Sequence, residues 1–429
     1  MKRTLVWFKT DLRLHDNETL VHAIAHSDEI VPVYCIDPRQ FETNAFGFQK
    51  TGKFRAQFLL ESLADLDKNL RALGSGLLVV KGLPEEELLA LVKQYAIQKV
   101  VAKKEVAYEE LQIHDAVERA LWTVQCPIET YSSSTLYHAQ DLPFALKDIP
   151  DVFTNFRKRL EKEVNIRAAY ETPKAIHAPE IPPLQLPTLA DLNLEPIKPD
   201  KRAAYSLKGG ETAALKRLNH YLFGTKALST YKDTRNGLIG DAYSTKFSAH
   251  LSMGCISARS IYYAVKKYEA QLGANESTYW LIFELMWRDY FRFMMKKYRQ
   301  KFFLQHGIQN SKDNLQNHDA TLFAKWQNAA TGIAFIDANM RELNSTGFMS
   351  NRGRQNVASY LHNDLKLDWR YGAAYFEQQL IDYDVCSNWG NWAYLSGVGN
   401  DPRGQRTFNT EKQALDYDKD GAYRKLWAK

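Results

Sequence analysis

The amino-terminal third of the chain alternates between two kinds of sequence pattern. Short β-branched and apolar runs occur at TLVWF, IVPVYCI, LLVVKG, KVVAK and IETYSS, all between Thr4 and Ser133. Between them lie helical patterns over Phe54 to Leu73, Glu85 to Tyr95 and Glu109 to Thr123. This alternation is typical of βαβ units, and it predicts a doubly wound parallel sheet.

The pattern changes in the second half of the chain. Residues 171–200 contain seven of the fourteen prolines, a composition that sustains neither helix nor sheet and predicts an extended connector. From about Gly210 onward the strand signal fades and helical periodicity takes over. We therefore predict an α/β plus all-α protein, with a sheet domain over residues 1–135, a long linker over 136–205 and a helical domain over 206–429.

Composition excludes several classes of protein. The cysteines are far apart and form no CxxC, which argues against a disulfide framework and a zinc site and predicts buried thiols. No segment is apolar enough to span a membrane and the first nine residues lead straight into a strand pattern, so we expect a cytoplasmic protein without a signal peptide. The net charge of +6 permits an anionic partner without requiring one.

Two stretches resemble phosphate-binding motifs but lack essential parts of them. GFQKTGKF, from Gly47, has the glycine and lysine spacing of a P-loop, but Phe54 replaces the hydroxyl that would hold magnesium. GVGNDPRG, from Gly397, lacks the third glycine of the dinucleotide fingerprint at the right spacing. We interpret the first as a chance match and the second as a loop.

The helical half contains a candidate buried acid. The stretch YWLIFELMWRDYFRFMMKKY is apolar nearly all round, yet it places Glu284 and Arg288 one turn apart beside Trp287. A buried carboxylate is costly unless it is paired. An internal Glu284–Arg288 ion pair and a functional site both fit this pattern, and periodicity alone leaves the choice open.

Two further stretches are rich in polar groups. STKFS, residues 244–248, offers hydroxyls and backbone N–H groups suited to phosphate oxygens, although a turn or a helix cap is the common alternative. In FMSNRGRQN a helix would place Asn351 and Arg354 on one face and Arg352 on another. One face could then meet an acid and the other an anion, while the alternative is a solvated basic turn.

The chain resembles the photolyase/cryptochrome family, specifically its DASH-type cryptochromes. The matching stretches cover nearly the whole chain and include LVWFKTDLRLHDNETL, YKDTRNGLIGDAYSTKFSAHLSMGCIS, YWLIFELMWRDYFRF, DANMRELNSTGFMSNRGRQNVASYL and IDYDVCSNWGNWAYLSGVGNDPRG. The last of these interleaves acids, amides and flat aromatic rings without an evident metal ligand or nucleophile. The resemblance implies a Rossmann-like antenna domain joined by the linker to a helical domain that binds FAD in a bent form.

The resemblance also implies roles for individual residues around the flavin. Tyr231 and the loop Ser244, Thr245, Lys246, Phe247 and Ser248 would hold the FAD phosphates. Arg354 would pair with Asp382 beside the isoalloxazine, Asp384 would contact the polar edge of that ring, and Asn388 would face its N5. The remaining implied cofactor contacts are Glu284, Arg288 and Asn351.

Electron transfer to the flavin is implied to use a tryptophan chain. Trp392 and Trp369 match the inner and middle members of that chain, while Gln316 stands at the position of the outermost tryptophan. This departure leaves the exit of the electron to the surface open, with a nearby tyrosine as the alternative.

The implied activity is that of a deoxyribodipyrimidine photolyase, which splits cyclobutane pyrimidine dimers in blue light. Trp287 would stack on the dimer, Glu284 would hydrogen-bond it, and Asn351 would support both ligands. Phosphate contacts would come from Arg235, Arg288, Arg352 and Arg406. Gln355 and Tyr394 replace the Met and Trp of conventional photolyases, and the more polar wall predicts a preference for single-stranded DNA, whose bases need no unpairing.

A second chromophore and other functions complete the expectations. DASH relatives bind methenyltetrahydrofolate as an antenna, and Glu105 in AKKEVAYEEL is the candidate ligand. We expect a monomer without metal or membrane contact, with RNA as a second candidate nucleic acid. The alternative functions are a flavin photoreceptor with little repair activity and a thermal FAD oxidoreductase.

Overall fold

A computed structural model describes residues 1–310, 316–404 and 406–428. Over these residues five parallel strands form a sheet in the order β3-β2-β1-β4-β5. The strands are β1 (Arg3–Phe8), β2 (Glu29–Ile36), β3 (Leu78–Lys81), β4 (Lys99–Lys103) and β5 (Ile128–Tyr131). The reversal of direction from β1 toward β3 and then toward β5 is the doubly wound topology, so this part of the predicted fold is confirmed.

Helices cover the sheet and form the rest of the chain. Those of the sheet region are α1 (Glu18–Ala25), α2 (Lys53–Arg71), α3 (Pro84–Gln94), α4 (Tyr108–Trp122) and α5 (Phe153–Glu163). The carboxy-terminal part contains α6 (Glu211–Asn219), α7 (Tyr231–Thr234), α8 (Ser248–Ser252), α9 (Ala258–Leu272), α10 (Glu276–Tyr298), α11 (Ala320–Gln327), α12 (Ala334–Thr346), α13 (Asn351–Ser359), α14 (Trp369–Gln379), α15 (Val385–Leu395), α16 (Thr410–Tyr417) and α17 (Ala422–Leu426). The predicted all-α second half is therefore confirmed.

The central strand β1 serves two cores because successive side chains point to opposite faces of a sheet. Leu5 and Trp7 pack in the core that includes residues of α3 and α4. Val6 and Phe8 belong to a larger core that continues through α2 into the carboxy-terminal helices. The sheet and the helices that carry the functional site therefore share one apolar interior.

The proline-rich segment is extended, as its composition predicts. In the described residues between α5 and α6, one short 3-10 turn at Ala190–Leu192 is the only regular element. The segment crosses the sheet domain, where the Ile176 N–H donates to the Leu73 carbonyl and the Ile30 N–H to that of His177.

Buried ionic and polar contacts lock the sheet region to the helical region. Asp289 of α10 accepts the backbone N–H groups of Leu136 and Tyr137, each at 2.9 Å. Asp16, which follows β1, pairs with Arg259 of α9 at 2.6 Å, and both side chains are buried. Because an ion pair that is broken in the interior leaves an uncompensated charge, these contacts resist any sliding of one region over the other.

The structure also bears on the cysteines, the P-loop-like stretch and the membrane-spanning helices considered in the sequence analysis. The four cysteines are free and buried. Gly52, in the P-loop-like stretch, immediately precedes α2 and lies so close to α14 that a Cβ would stand 2.3 Å from the Gln378 carbonyl oxygen. That glycine therefore serves close packing between the two regions. Within the described residues, none of the helices combines the length and apolarity needed to cross a membrane.

Candidate functional site

A deep cavity opens among the carboxy-terminal helices. Its empty space is about 1170 Å³, counted to the open mouth, and its wall comes from α7, the loop before α8, and helices α10, α13, α14 and α15. The sequence-predicted residues on this wall are Tyr231, Arg235, Ser244, Thr245, Lys246, Phe247, Ser248, Glu284, Asn351, Arg354, Gln355, Asp382, Asp384, Asn388 and Trp392. The fold thus brings together side chains that are up to 161 positions apart in the sequence, from Tyr231 to Trp392.

The loop at residues 244–248 holds a cation that has no ionic partner within the part of the chain that the structure describes. Lys246 adopts the left-handed conformation with φ of 60°, an uncommon state for a residue with a side chain. Its ammonium is buried and donates no hydrogen bond to any of the described residues, lying instead 3.2 Å from the ring centre of Tyr243. Burial lowers the pKa of Lys246 well below its ordinary value, with the nearby Glu342 opposing the shift. Such an arrangement fits an anionic group in the cavity.

Arg217 supports this loop from behind, a role that sequence reasoning missed. Its buried guanidinium donates to the carbonyl of Thr245 at 3.0 Å and to that of Ser244 at 3.2 Å. With the carbonyls turned back toward Arg217, the loop backbone is held in one conformation beside the cavity.

A buried acid stands near Lys246 and was also missed by sequence reasoning. Glu342 of α12 is 1% exposed and accepts the Tyr423 hydroxyl at 2.6 Å. Burial raises the pKa of Glu342 to about 7, against the opposing effects of Tyr423 and Lys246. Through Tyr423, the carboxy-terminal helix α17 therefore contacts an acid that acts electrostatically on Lys246.

The predicted Arg354–Asp382 pair is formed. One Arg354 nitrogen donates to both carboxylate oxygens of Asp382, at 2.8 and 3.0 Å, while Nε donates to the Met349 carbonyl. Ser350 caps α13 by accepting the Gly353 N–H, so the helix begins where its first turn can present Asn351 to the cavity. A fixed positive group therefore lies on the cavity wall.

Asp384 and Asn388 are one turn apart at the start of α15. Asp384 caps the helix by accepting the Ser387 N–H at 2.7 Å. Burial alone would raise the pKa of Asp384, but Arg288, the Ser387 N–H and Arg292 together hold it below its ordinary value. The Asn388 amide nitrogen donates to the Ala373 carbonyl at 3.0 Å, which leaves its oxygen to accept from a group in the cavity.

Glu284 is paired, but not with the residue one turn away. Its Oε1 accepts Arg235 at 2.9 Å and the indole N–H of Trp280 at 3.1 Å. Arg288 instead donates to the carbonyls of Ser134 and Leu251, so the internal Glu284–Arg288 pair does not form. Burial raises the pKa of Glu284, and Arg235 and Trp280 oppose that shift.

A second group of predicted residues lies on α10 and α15, outside the residues that form the cavity wall. Trp287 stacks on Phe153 with ring centres 3.7 Å apart and meets Tyr394 edge-on at 5.8 Å. Arg406 donates to the Tyr394 hydroxyl at 2.7 Å and pairs with Asp401. Because Trp287 follows Glu284 by one turn of α10, this cluster lies next to the part of the cavity wall that Glu284 forms.

Arg352 points away from Arg354, as its position on α13 predicts. It donates to the side-chain oxygens of Gln355, at 3.1 Å, and Asn236, at 3.2 Å, and its guanidinium lies 4.4 Å from the ring centre of Tyr417. Its Nε is buried and has no hydrogen-bond partner among the described residues.

The two predicted tryptophans of the electron path are buried. Trp392 lines the cavity, and Gly372 of α14 lies so close that a Cβ would stand 2.3 Å from its ring. Trp369 donates to the Gln305 carbonyl at 3.0 Å, and the Gln305 amide in turn donates to the Gln316 carbonyl. Trp389, to which the sequence assigned no role, meets Trp369 edge-on with ring centres 5.8 Å apart.

Glu105 lies in a buried ion network between the two regions. Its Oε1 contacts Lys103 at 2.9 Å and Thr10 at 3.0 Å, and its Oε2 accepts Arg292 at 2.8 Å. Although burial would raise the pKa of Glu105, these cations lower it. A small cavity beside the network is lined by the cations Lys104, Arg292 and Lys296 together with Ser132, Ser134 and Thr135.

Comparison with known proteins gives consistent matches. A family model described as DNA photolyase matches residues 4–180, and one described as the FAD binding domain of DNA photolyase matches residues 280–429. Cryptochrome DASH of Gloeobacter violaceus is 50% identical over 99% of this chain and 85% of the relative. Cryptochrome DASH of Xenopus laevis is 48% identical over 98% of this chain and 81% of the relative.

Solved structures agree with these matches. A cryptochrome from Synechocystis sp. PCC6803 is 46% identical, with a TM-score of 0.96 over all of this chain and 88% of the other. A class III photolyase from Agrobacterium tumefaciens is 28% identical, with a TM-score of 0.85 over all of this chain and 86% of the other.

Proposed function

Because this chain belongs to the photolyase/cryptochrome family, within its cryptochrome DASH branch, we propose that it is a blue-light-dependent deoxyribodipyrimidine photolyase acting on single-stranded DNA. The observation that carries this proposal is the cavity wall, where a buried unpartnered ammonium, a fixed Arg354–Asp382 pair and a half-buried Glu284 face one space. These groups suit a ligand with an anionic end, a polar-edged ring and a neighbouring base.

The cavity fits FAD at each of these points. Lys246 and the hydroxyls of Ser244, Thr245 and Ser248 would bind the phosphates, with Arg217 fixing the loop backbone behind them. Arg354 and Asp382 would lie beside the isoalloxazine, Asp384 would accept from its polar edge, and the Asn388 oxygen would accept from a protonated N5. The chemistry that FAD supplies is one electron, lent to the cyclobutane ring after light absorption and returned when that ring has opened.

The substrate would enter from the side of Glu284. There Asn351 and Gln355 lie on the cavity wall, and the Trp287–Tyr394 cluster begins one turn further along α10. Tyr394 presents a smaller ring than the tryptophan of conventional photolyases, and it is tied to Arg406. With less aromatic burial to offset base flipping, single strands are favoured over duplexes.

We also propose methenyltetrahydrofolate as an antenna at the interface between the two regions. Since Glu105 already accepts from three groups, the cations Lys104, Arg292 and Lys296 of the adjacent cavity are the better contacts for the carboxylates of such a ligand. A pterin bound there would add a second absorption band to the flavin spectrum of the purified protein, and a flavin-only spectrum would remove this part of the proposal.

The repair activity is tested with ultraviolet-irradiated oligonucleotides in single-stranded and duplex form. We expect light-dependent loss of dimers, faster from the single strand, in protein whose flavin has been reduced. No loss from either substrate would favour a photoreceptor that binds nucleic acid, and turnover in darkness with a soluble reductant would indicate a thermal oxidoreductase. RNA binding, the monomeric state and a cytoplasmic location remain proposals, and sedimentation with labelled RNA and DNA measures the first two.

A further inference from the structure

The hydrogen bonds of Glu284 are one-sided. Arg235 and Trp280 both donate to Oε1, and among the described residues none donates to Oε2. The Glu284 side chain is 31% exposed, and this exposed surface opens into the cavity, whose wall Glu284 and Arg235 help to form. One carboxylate oxygen is thus fixed by the protein while the other remains available to a ligand.

Trp280 has little freedom to leave this position. Its ring packs against Phe283 with centres 4.7 Å apart, and Lys232 and Arg235 lie 5.1 and 5.2 Å from the ring centre. Since Trp280 precedes Glu284 by four residues on α10, the backbone of the helix sets their separation. The indole N–H is therefore aimed at Oε1 before any ligand binds.

The donors on Oε1 also affect the ionisation of the carboxyl group, and therefore whether Oε2 accepts or donates a hydrogen bond. An N–H donated to a carboxyl group stabilises its ionised form, and an ionised carboxylate only accepts hydrogen bonds. A thymine or uracil base offers an imide N–H on its Watson–Crick edge, whereas N3 of cytosine is an acceptor. In its ionised form, which Arg235 and Trp280 favour against the effect of burial, Glu284 matches the imide and repels the lone pair of cytosine N3.

We propose that Trp280 is a positioning residue that, with Arg235, directs Glu284 Oε2 to the imide N–H of a flipped thymine or uracil. This inference rests on the proposed repair function, in which Glu284 hydrogen-bonds the base, and it adds Trp280 as the residue that sets the orientation of that carboxylate. Trp280 itself makes no contact with the substrate in this arrangement.

The test compares dark binding of two single-stranded oligonucleotides by the full chain loaded with FAD. One carries a thymine dimer, and the other carries the same dimer methylated at N3 of both bases, which removes the imide N–H. Glu284→Leu, which has no hydrogen-bond acceptor at this position, measures the discrimination that the bulk of the methyl groups causes alone. We expect wild-type protein to prefer the unmethylated dimer about fivefold more strongly than Glu284→Leu does, the effect of one net hydrogen bond.

Trp280→Phe keeps an aromatic ring and removes the N–H. We expect its discrimination to fall toward that of Glu284→Leu, with weaker binding of the unmethylated dimer and an unchanged yield per absorbed photon at saturation. The matched control is Trp122→Phe, at a site that is 79% exposed on α4, and it should behave as wild type. If Trp280→Phe does not fold, Arg235→Met gives the same comparison, because lost phosphate contacts weaken both oligonucleotides equally.

Two outcomes would overturn the inference while leaving the repair function intact. In one, Trp280→Phe retains the wild-type discrimination; in the other, it loses affinity for both oligonucleotides equally. Wild-type protein that binds the dimer no better than undamaged DNA would instead remove the proposed function, and this inference with it.

Discussion

The buried ammonium of Lys246 gives the sharpest prediction about the cofactor. It is 3% exposed, and its closest compensation among the described residues is the ring of Tyr243, 3.2 Å away, followed by that of Phe348 at 4.5 Å. A phosphate oxygen would supply a charge-assisted hydrogen bond, which contributes about 1.5–3 kcal/mol. Lys246→Met should therefore weaken FAD binding by about 10- to 150-fold.

The same substitution should have the opposite effect on the flavin-free protein. Because burial lowers the pKa of Lys246, the unfolded chain binds more protons than the folded one at pH values between the two pKa values. Stability of the flavin-free wild type should then rise with pH up to the unfolded value of about 10.4. Lys246→Met should raise the melting temperature at neutral pH and remove this rise.

The assays are titration of flavin-depleted protein with FAD and thermal unfolding across neutral and alkaline pH. Lys198→Met, at an exposed position in the linker, is the matched control and should change neither result. Should Lys246→Met bind FAD within about twofold of wild type, the ammonium does not meet the phosphates, and the orientation proposed for the cofactor is refuted.

Three further predictions concern the same site. Burial raises the pKa of Glu342 to about 7, so the folded flavin-free protein should lose stability as pH rises from about 4.3 through about 7. The expected loss in the free energy of unfolding is on the order of 3 kcal/mol. Glu342→Gln should remove this loss, which thermal unfolding at several pH values would measure. Trp392→Phe should slow flavin photoreduction in the presence of a thiol reductant, whereas Gln316→Trp should accelerate it by restoring an aromatic group at the outer position; unchanged rates in both variants would place the electron on another route. Asn388→Ala removes an acceptor near flavin N5 and should destabilise the one-electron-reduced flavin, which potentiometry would detect as a smaller maximal yield of that state.

Local patterns accounted for the fold and for much of the cavity wall. The strand patterns from TLVWF to IETYSS predict a parallel sheet because the β-branched runs alternate with helical segments. The separation of Arg352 from Arg354 follows from helical geometry alone, and the structure places them on different faces of α13. The Arg354–Asp382 pair was predicted from the family resemblance. Its members are 28 residues apart, so no local pattern links them.

Long-range contacts account for what the sequence did not predict. Glu284 and Arg288 have the spacing of a helical ion pair, but the Ser134 and Leu251 carbonyls outcompete Glu284 for the Arg288 guanidinium. Arg217 and Glu342 lie outside the stretches that attracted attention, and each acts through a partner brought near by folding. The contact of Trp280 with Glu284 had a signal in the sequence, because residues four apart on a helix are neighbours on one face.

The contacts between α10 and the segment after β5 have a consequence for handling the protein. Asp289 accepts hydrogen bonds from two successive backbone amides, and Asp16 forms an ion pair with Arg259 between the sheet region and the helical region. A protease that nicks the extended proline-rich stretch should therefore yield two fragments that migrate together on gel filtration until denaturant is added. Expressed alone, the flavin-binding half would lack these partners, so complementation by co-expressing both halves is the sounder route to a split version.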